Sequence, residues 1–235
     1  MNISIGLCSE VRKLFFSMLV LFAAASLLSA CTRQQPCREA CVVFIGDSII
    51  SKWPALQQAG QISGLQVINR GLPGDTTTHM RSRFNHDVIQ LRPRVVVILG
   101  GINDLVRNSL PAIENNLAQM AQTARQHDIQ VVLVAIPPTG ASPADQSMPA
   151  ASSAQNQIRV LNTSLKSLAA QNHYALLDAY SALADDRGYY RPGLTTDGVH
   201  LTTDGYRLLD PVLREAIAFA IRNAVEPDSS SGPSL

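Results

Sequence analysis

A serine stands directly after an apolar run near the start of the chain, within the stretch "VVFIGDSIISKWP" at residues 42 to 54. Gly46, Asp47 and Ser48 are all favoured in turns or at the first position of a helix, so the tripeptide can be a turn that leads into a helix cap. The same serine can instead be a nucleophile, provided that a base lies close enough to remove its proton. The tripeptide alone leaves both interpretations open.

An aspartate and a histidine, Asp197 and His200, lie three residues apart in the segment "TTDGVHLTTDGY" near the C-terminus. On one turn of the chain the carboxylate can accept a hydrogen bond from the imidazole Nδ1–H, which leaves Nε2 free to face Ser48. This spacing predicts a catalytic triad in the order Ser48, Asp197, His200. Oriented acid–base chemistry of this kind accelerates a reaction by roughly 10²- to 10⁴-fold.

A serine nucleophile also needs hydrogen-bond donors that stabilise the oxyanion of the tetrahedral intermediate. The backbone N–H groups of Ser48 and Gly71 and the side-chain amide of Asn103 are candidates for an oxyanion hole. Glycine at position 71 would allow the substrate to approach the backbone closely, because it has no Cβ. Loss of one such donor typically costs about 10² to 10³ in turnover. Taken singly, each of these positions also fits an ordinary turn.

The elements that must position these residues alternate along the chain. Short, largely β-branched runs predict five strands, at residues 41–45, 66–69, 94–99, 129–136 and 174–178. Apolar stripes at helical spacing predict helices at 110–124, 158–168 and 203–223. Further helices are expected to start near Ser48 and at Asp75, with Asp75 as the N-cap. This order predicts an α/β fold, a three-layer α/β/α sandwich around a five-stranded parallel sheet, with 137–152 and 179–202 as its longest irregular stretches.

In such a sheet, ligands bind at the carboxyl ends of the strands. Ser48 follows the first predicted strand, Gly71 the second and Asn103 the third, while Asp197 and His200 follow the fifth. The topology therefore predicts that all five residues meet at one edge of the sheet.

Four sequence blocks together resemble the SGNH hydrolase superfamily, also called the GDSL esterases and lipases: Gly46-Asp47-Ser48, Gly71, Gly101-x-Asn103-Asp104 and Asp197-x-x-His200. The strings "NRGLPGDTT" and "GGINDL" are most similar to its platelet-activating-factor acetylhydrolase-like and lysophospholipase-like branch. The resemblance covers about residues 42 to 223 and implies a flavodoxin-like fold.

The resemblance also implies ester hydrolysis through an acyl-serine, without a metal or other cofactor. Ser48 would be the nucleophile, His200 the base and then the acid, and Asp197 the residue that orients it, with Ser48, Gly71 and Asn103 as the oxyanion hole. The motif reads GDSI rather than GDSL, and the isoleucine is expected to pack under the turn.

Residues 1–30 have the pattern of an export signal, since Arg12 and Lys13 precede an uncharged apolar run of 17 residues. Leu-Ser-Ala-Cys at 28–31 resembles a bacterial lipobox, which implies cleavage before Cys31 and its lipidation; an uncleaved membrane anchor is the alternative. Thr32, which follows the predicted lipidation site and is not an aspartate, resembles the residue at this position in lipoproteins sorted to the outer membrane. The expected location of the protein is therefore the periplasmic face of the outer membrane. The expected organisation is a signal peptide (1–30), a short tether (31–40), one hydrolase domain (41–225) and a disordered tail (226–235).

The charge and cysteine content narrow the possible partners. The formal net charge is +1, and removal of residues 1–30 leaves it near zero. The electrostatic potential of the protein is therefore not expected to attract nucleic acid. Cys37 and Cys41 could form a disulfide in an oxidising compartment, or Cys41 could be a buried free thiol. No cysteine or histidine spacing resembles a zinc site.

Other enzyme classes fit less well. An α/β-hydrolase needs G-x-S-x-G, but position 50 is isoleucine. The G-x-G-x-x-G and Walker motifs of nucleotide-binding proteins are absent after the first strand. Trp53 is expected to pack near the rim of the site, and His79 and His86 to lie on a helix surface.

The sequence favours a short-chain acyl ester as substrate, such as an O-acetylated carbohydrate, because the 137–152 loop contains no aromatic residue and no Leu, Ile or Val. A lysophospholipase or thioesterase is the alternative, since the short tether would hold the domain close to a membrane. A catalytically silent, glycan-binding lipoprotein is a further alternative.

Overall fold

A computed structural model of the protein describes residues 40–58, 60–105, 107–140 and 149–224. The predicted signal peptide, the predicted lipidation site Cys31 and the predicted tail 226–235 lie outside these ranges, as does all of the predicted tether except residue 40. Within the described ranges, no helix is long and apolar enough to cross a bilayer.

The centre of the fold is a six-stranded sheet with the order β2-β3-β1-β4-β5-β6. The predicted parallel strands are confirmed as β1 (Cys41–Gly46), β3 (Leu65–Gly71), β4 (Val95–Leu99), β5 (Gln130–Val134) and β6 (Ala175–Leu177). A sixth strand, β2 (Gln61–Ile62), pairs antiparallel with β3 at one edge and was not predicted. Ser63 and Gly64 connect the two strands and both have positive φ, as in a two-residue hairpin turn.

Helices cover both faces of the sheet. They are α1 (Ser48–Ser51), α2 (Pro54–Gln58), α3 (Thr77–Asp87), α4 (Leu110–Gln126), α5 (Pro149–Gln171), α6 (Ala179–Leu183) and α7 (Thr203–Arg222). The predicted helices at 110–124 and 203–223 correspond to α4 and α7. Helix α5 begins at Pro149, before the predicted 158. Its first turns lack the apolar stripe on which the prediction depended, but they contain Ala and Gln, which are good helix formers.

Two apolar layers enclose the sheet, which explains why the central strands are continuous apolar runs. Val42 and Phe44 of β1 belong to the same buried cluster as Leu213 of α7. Val43 and Ile45, on the opposite face of β1, belong to a second cluster that contains residues of α3, α4 and α5. Successive strand residues point to opposite faces, so both faces of β1 need apolar side chains. The predicted three-layer α/β/α sandwich is therefore confirmed.

Cys41 begins β1, is fully buried and is disulfide-bonded. The residue bonded to it lies outside the described ranges, so the pairing of Cys41 with Cys37 stays a prediction.

Candidate active site

Ser48 is presented by a sharp change from strand to helix. Strand β1 ends at Gly46, the Asp47 carboxylate caps α1 by accepting the N–H of Ile49 at 2.9 Å, and Ser48 is the first residue of α1. Gly46 leaves no room for a side chain, because a Cβ would lie 2.4 Å from the Leu99 carbonyl oxygen. Ile49, the isoleucine of the GDSI motif, is buried under the turn as predicted.

His200 and Asp197 lie next to this serine. The Nε2 atom of His200 is 2.9 Å from Ser48 Oγ, and its Nδ1 atom is 2.6 Å from Asp197 Oδ2. The backbone N–H of His200 also donates to Asp197 Oδ1 at 2.8 Å. These two hydrogen bonds from His200, the backbone one first, lower the pKa of Asp197 to about 2. The carboxylate is therefore ionised at neutral pH and can stabilise an imidazolium.

The loop that carries Asp197 and His200 is fastened at several points. The Tyr190 hydroxyl donates to the Val199 carbonyl at 3.0 Å, and the Thr195 hydroxyl donates to the His200 carbonyl at 2.9 Å. From the segment that follows β5, the N–H of Gly140 donates to the Gly198 carbonyl at 2.8 Å. These bonds fix the backbone on both sides of the imidazole.

The first turn of α7 and the segment around Ser48 are also joined. The Tyr206 hydroxyl donates to the Ile49 carbonyl at 2.9 Å, and Trp53 Nε1 donates to Asp210 at 2.8 Å. The Trp53 and Tyr206 rings pack with their centroids 5.4 Å apart. Trp53 is a packing residue, as predicted, but it is fully buried in the core and does not lie at the rim of the site.

The structure contradicts Gly71 as an oxyanion donor. Its N–H is already donated to Asn69 Oδ1 at 2.8 Å, and a Cβ at this position would lie 2.3 Å from the backbone nitrogen of Ser51. Asn69 in turn donates its amide to the Ile50 carbonyl. Glycine is needed at position 71 because β3 packs against the backbone of α1, and the substrate does not need to approach it.

Gly74, three residues later, is the better candidate and was missed. It has a φ of +77°, and its missing Cβ faces open space. Its N–H and that of Ser48 are not donated to any residue in the described ranges. The side chain of Asn103 lies against the same loop, since Nδ2 donates to the Asp75 carbonyl at 2.9 Å. The Pro-Gly pair in "LPGDTT" is a turn signal that places Gly74 in a loop, although it does not by itself exclude Gly71.

Asp75 is also not the N-cap that the sequence suggested. Thr76 caps α3, and the Asp75 side chain is fully buried against Arg83 and His79. The side chains of His79 and His86 are 61% and 71% exposed, as expected for residues on a helix surface.

Asp47 is a buried acid beside the serine. Burial, with a smaller contribution from the nearby Asp75 carboxylate, outweighs the hydrogen bond from Ile49 and raises the pKa of Asp47 from the ordinary 3.8 to about 7. Its Oδ2 atom has no hydrogen-bond partner among the described residues. Asp47 therefore supports the turn through its hydrogen bond to the backbone.

A cavity of about 340 Å³ lies between α4 and α5, lined by residues that include Pro111, Glu114, Leu165 and Leu168. None of its lining residues belongs to the Ser48 site. Among the described residues, no group of three or more His, Cys, Asp or Glu side chains is arranged to hold a metal ion.

The sequence is also similar to known proteins. The sequence model of the GDSL-like Lipase/Acylhydrolase family matches residues 44–208. Platelet-activating factor acetylhydrolase IB subunit alpha2 of Homo sapiens is 27% identical over 184 residues, which cover 77% of each chain. An acetylxylan esterase of Geobacillus stearothermophilus is 32% identical over 81 residues, 34% of this chain and 37% of the esterase.

The fold is similar to that of solved members of the same group. A GDSL-like lipase from Bacteroides thetaiotaomicron superposes with a TM-score of 0.67 at 29% identity, over 77% of this chain and 89% of the lipase.

Proposed function

Because the chain belongs to the GDSL-like lipase/acylhydrolase family and is thus a carboxylic ester hydrolase, we propose that Ser48, His200 and Asp197 form its catalytic triad. The observation that carries this proposal is the pair of contacts on one imidazole, 2.9 Å to Ser48 Oγ and 2.6 Å to Asp197 Oδ2. This is the arrangement that a serine needs to lose its proton as it attacks.

The proposed reaction has two steps. His200 Nε2 takes the proton of Ser48 as Oγ attacks the ester carbonyl, and then gives that proton to the departing alcohol, which leaves an acyl-serine. In the second step His200 takes a proton from water, the hydroxide attacks the acyl carbon, and Ser48 leaves with that proton. Asp197 stays ionised and stabilises the imidazolium in both steps.

For the oxyanion hole we propose the N–H groups of Ser48 and Gly74 and the amide of Asn103. The two backbone donors are unused within the described residues. Asn103 donates Nδ2 to the Asp75 carbonyl, and an amide nitrogen carries a second hydrogen that can point at substrate. Gly74 replaces Gly71 in this set because the Gly71 N–H is engaged with Asn69.

For the substrate we propose a short acyl ester, such as an O-acetyl group on a carbohydrate. Two similar proteins, an acetylhydrolase and an acetylxylan esterase, carry the acetyl group in their names. The segment at 137–148 also contains no aromatic residue and no Leu, Ile or Val.

The experiment compares hydrolysis of p-nitrophenyl acetate, octanoate and palmitate by the wild-type protein and by Ser48→Ala. We expect acetate to give the highest kcat/KM and Ser48→Ala to lower kcat by at least about 10³-fold, with the fold unchanged. Ser51→Ala, the same change in the same helix, is the matched control and should keep wild-type activity. Activity of Ser48→Ala equal to wild type would refute the triad, and a maximum at eight carbons or longer would favour the lysophospholipase or thioesterase alternative.

We also propose that the protein is an exported lipoprotein, anchored through Cys31 at the periplasmic face of the outer membrane. The support is the sequence of residues 1–31. Mass spectrometry of the N-terminal peptide from membrane fractions should find a lipidated Cys31, and Cys31→Ser should release the protein from the membrane. An unprocessed Met1 terminus in the membrane fraction would indicate the uncleaved anchor instead.

A further inference from the structure

The guanidinium of Arg83, on α3, contacts three different parts of the fold. Its Nε and one terminal nitrogen donate to Asp75 Oδ2 at 2.8 and 2.6 Å, and the other terminal nitrogen donates to Asp87 Oδ2 at 2.6 Å. The terminal nitrogen that contacts Asp75 also donates to the backbone carbonyl of Gly46 at 3.2 Å. The arginine side chain is only 11% exposed, and that of Asp75 is fully buried.

These contacts join the two segments that present the proposed oxyanion donors. Gly46 is two residues before Ser48, at the end of β1, and Asp75 directly follows Gly74. The Asp75 carbonyl also accepts the Asn103 amide at 2.9 Å. Each proposed donor is therefore close to a residue that Arg83 contacts. Ser48 is two residues from Gly46, Gly74 is adjacent to Asp75, and Asn103 is hydrogen-bonded to Asp75.

We propose that Arg83 is a positioning residue of the oxyanion hole, which sets the separation between the Ser48 turn and the loop that carries Gly74. This inference rests on the proposed function, since it assumes that Ser48 is the nucleophile. Oxyanion donors act only within about 2.7–3.1 Å of the developing charge, so a small relative shift of the two segments is enough to weaken them.

The geometry favours positioning over simple satisfaction of polar groups. The Gly46 carbonyl already accepts the Leu72 N–H at 2.9 Å, so it does not need a second donor to be paired. Asp75 alone could be neutralised by any cation. A planar guanidinium can contact the Gly46 carbonyl and the Asp75 carboxylate at the same time, because its donors diverge at fixed angles. A lysine ammonium is a compact point charge and does not have this reach.

The test compares Arg83→Lys and Arg83→Met with Asp87→Asn as the matched control. Asp87→Asn changes the outer partner of Arg83 and leaves its contacts to Asp75 and Gly46 in place. A p-nitrophenyl phosphonate that labels the active serine counts competent sites in each preparation, so that kcat is expressed per labelled site and unfolded protein does not contribute. Circular dichroism melts record stability separately.

We expect Arg83→Met to lower kcat per labelled site by about 10²-fold, in the range of one lost oxyanion donor, with KM within about threefold of wild type. Arg83→Lys should lose about tenfold, because it keeps the charge for Asp75 but not the reach to Gly46. Asp87→Asn should stay within about threefold. Should Arg83→Met fail to fold, Arg83→Lys decides the question.

Wild-type kcat per labelled site in Arg83→Lys, within about threefold, would overturn the inference and leave Arg83 with a structural role. An equal loss in Asp87→Asn, or a loss confined to KM, would overturn it as well. Ser48→Ala is assayed in parallel. If Ser48→Ala keeps wild-type turnover, the proposed function fails. If Ser48→Ala is inactive while the Arg83 variants are fully active, only the proposed role of Arg83 is contradicted.

Discussion

The buried carboxyl of Asp47 should make the stability of the protein depend on pH, and Asp47→Asn should remove that dependence. Asparagine is nearly isosteric, and its Oδ1 can still accept the Ile49 N–H that Asp47 accepts at 2.9 Å. The amide nitrogen would take the place of Oδ2, which has no partner in the folded protein. The substitution therefore changes the charge and its titration while it keeps the helix cap.

The direction of the effect follows from the raised pKa. In the folded protein Asp47 holds its proton up to about pH 7, whereas its ordinary pKa is 3.8. Folding between these two values takes up a proton, so the stability that wild type owes to a neutral Asp47 is complete at low pH and is lost as the pH rises through 7. Below about pH 4 and well above pH 7 the dependence levels off.

The size of the effect can be worked from the same two values. One pKa unit corresponds to about 1.4 kcal/mol, so the full shift corresponds to about 4 kcal/mol. Between about pH 5 and about pH 8, the free energy of unfolding of wild type should fall by about 2.5 kcal/mol relative to that of Asp47→Asn. Other titrating groups are common to both proteins and cancel in this difference.

Urea denaturation of both proteins at half-unit steps from pH 5 to pH 8 measures this difference directly. Asp47→Ala is a useful third protein, because it also removes the charge but loses the cap, and it should be less stable than Asp47→Asn by about 1 kcal/mol at every pH. A difference between wild type and Asp47→Asn that stays constant within about 0.5 kcal/mol would show that Asp47 does not titrate in this range, contrary to the burial argument. A difference that grows in favour of wild type with rising pH would mean that the site stabilises the ionised form.

Three further substitutions test other parts of the structure. Gly71→Ala should destabilise the protein by about 3 kcal/mol in urea denaturation, because its Cβ would lie 2.3 Å from the backbone nitrogen of Ser51; unchanged stability would contradict this packing. Asn162→Ala should cost about 3 kcal/mol by the same measurement, since its amide pairs with both the N–H and the carbonyl of the buried Ile136; a loss below about 1 kcal/mol would mean that water replaces it. Asp197→Asn should lower kcat by roughly 10²- to 10⁴-fold with KM almost unchanged, and a steady-state assay that finds less than a tenfold loss would remove Asp197 from the triad.

The sequence was sufficient to predict the five parallel strands of the sheet and the residues that contact Ser48, but not the antiparallel edge strand β2. The central strands are buried on both faces, so they appear as continuous apolar runs, and the rule that ligands bind at the carboxyl ends of parallel strands then groups the polar residues that follow them. The contacts of Asp197, His200 and Ser48 agree with that grouping.

The choice between Gly71 and Gly74 could not be made in the same way. Both are glycines in the short string "NRGLPGDTT", and either suits a close approach to the backbone. The difference comes from register, since Gly71 pairs with Gly46 at the end of β3 and so lies against α1, while Gly74 is beyond the strand. Register between strands distant in sequence is a tertiary property, and a single sequence does not reveal it.

The role of Arg83 was equally hidden from the sequence. On a predicted helix, an arginine four residues before an aspartate suggests an ordinary surface ion pair with Asp87. Its contacts to Asp75 and Gly46 depend on how α3 packs against the sheet, and only the folded structure brings them together.

The separation of the proposed reacting pair along the chain limits when this hydrolase can first act. Ser48 and His200 are 152 positions apart. The helix that follows His200 is tied to the segment after the serine, since Tyr206 donates to the Ile49 carbonyl and Asp210 accepts from Trp53. A chain still emerging from the ribosome carries the serine but has no base, so it is no more reactive than any surface hydroxyl. The proposed triad is therefore complete only after the C-terminal segment has been synthesised and has packed against the turn that presents Ser48.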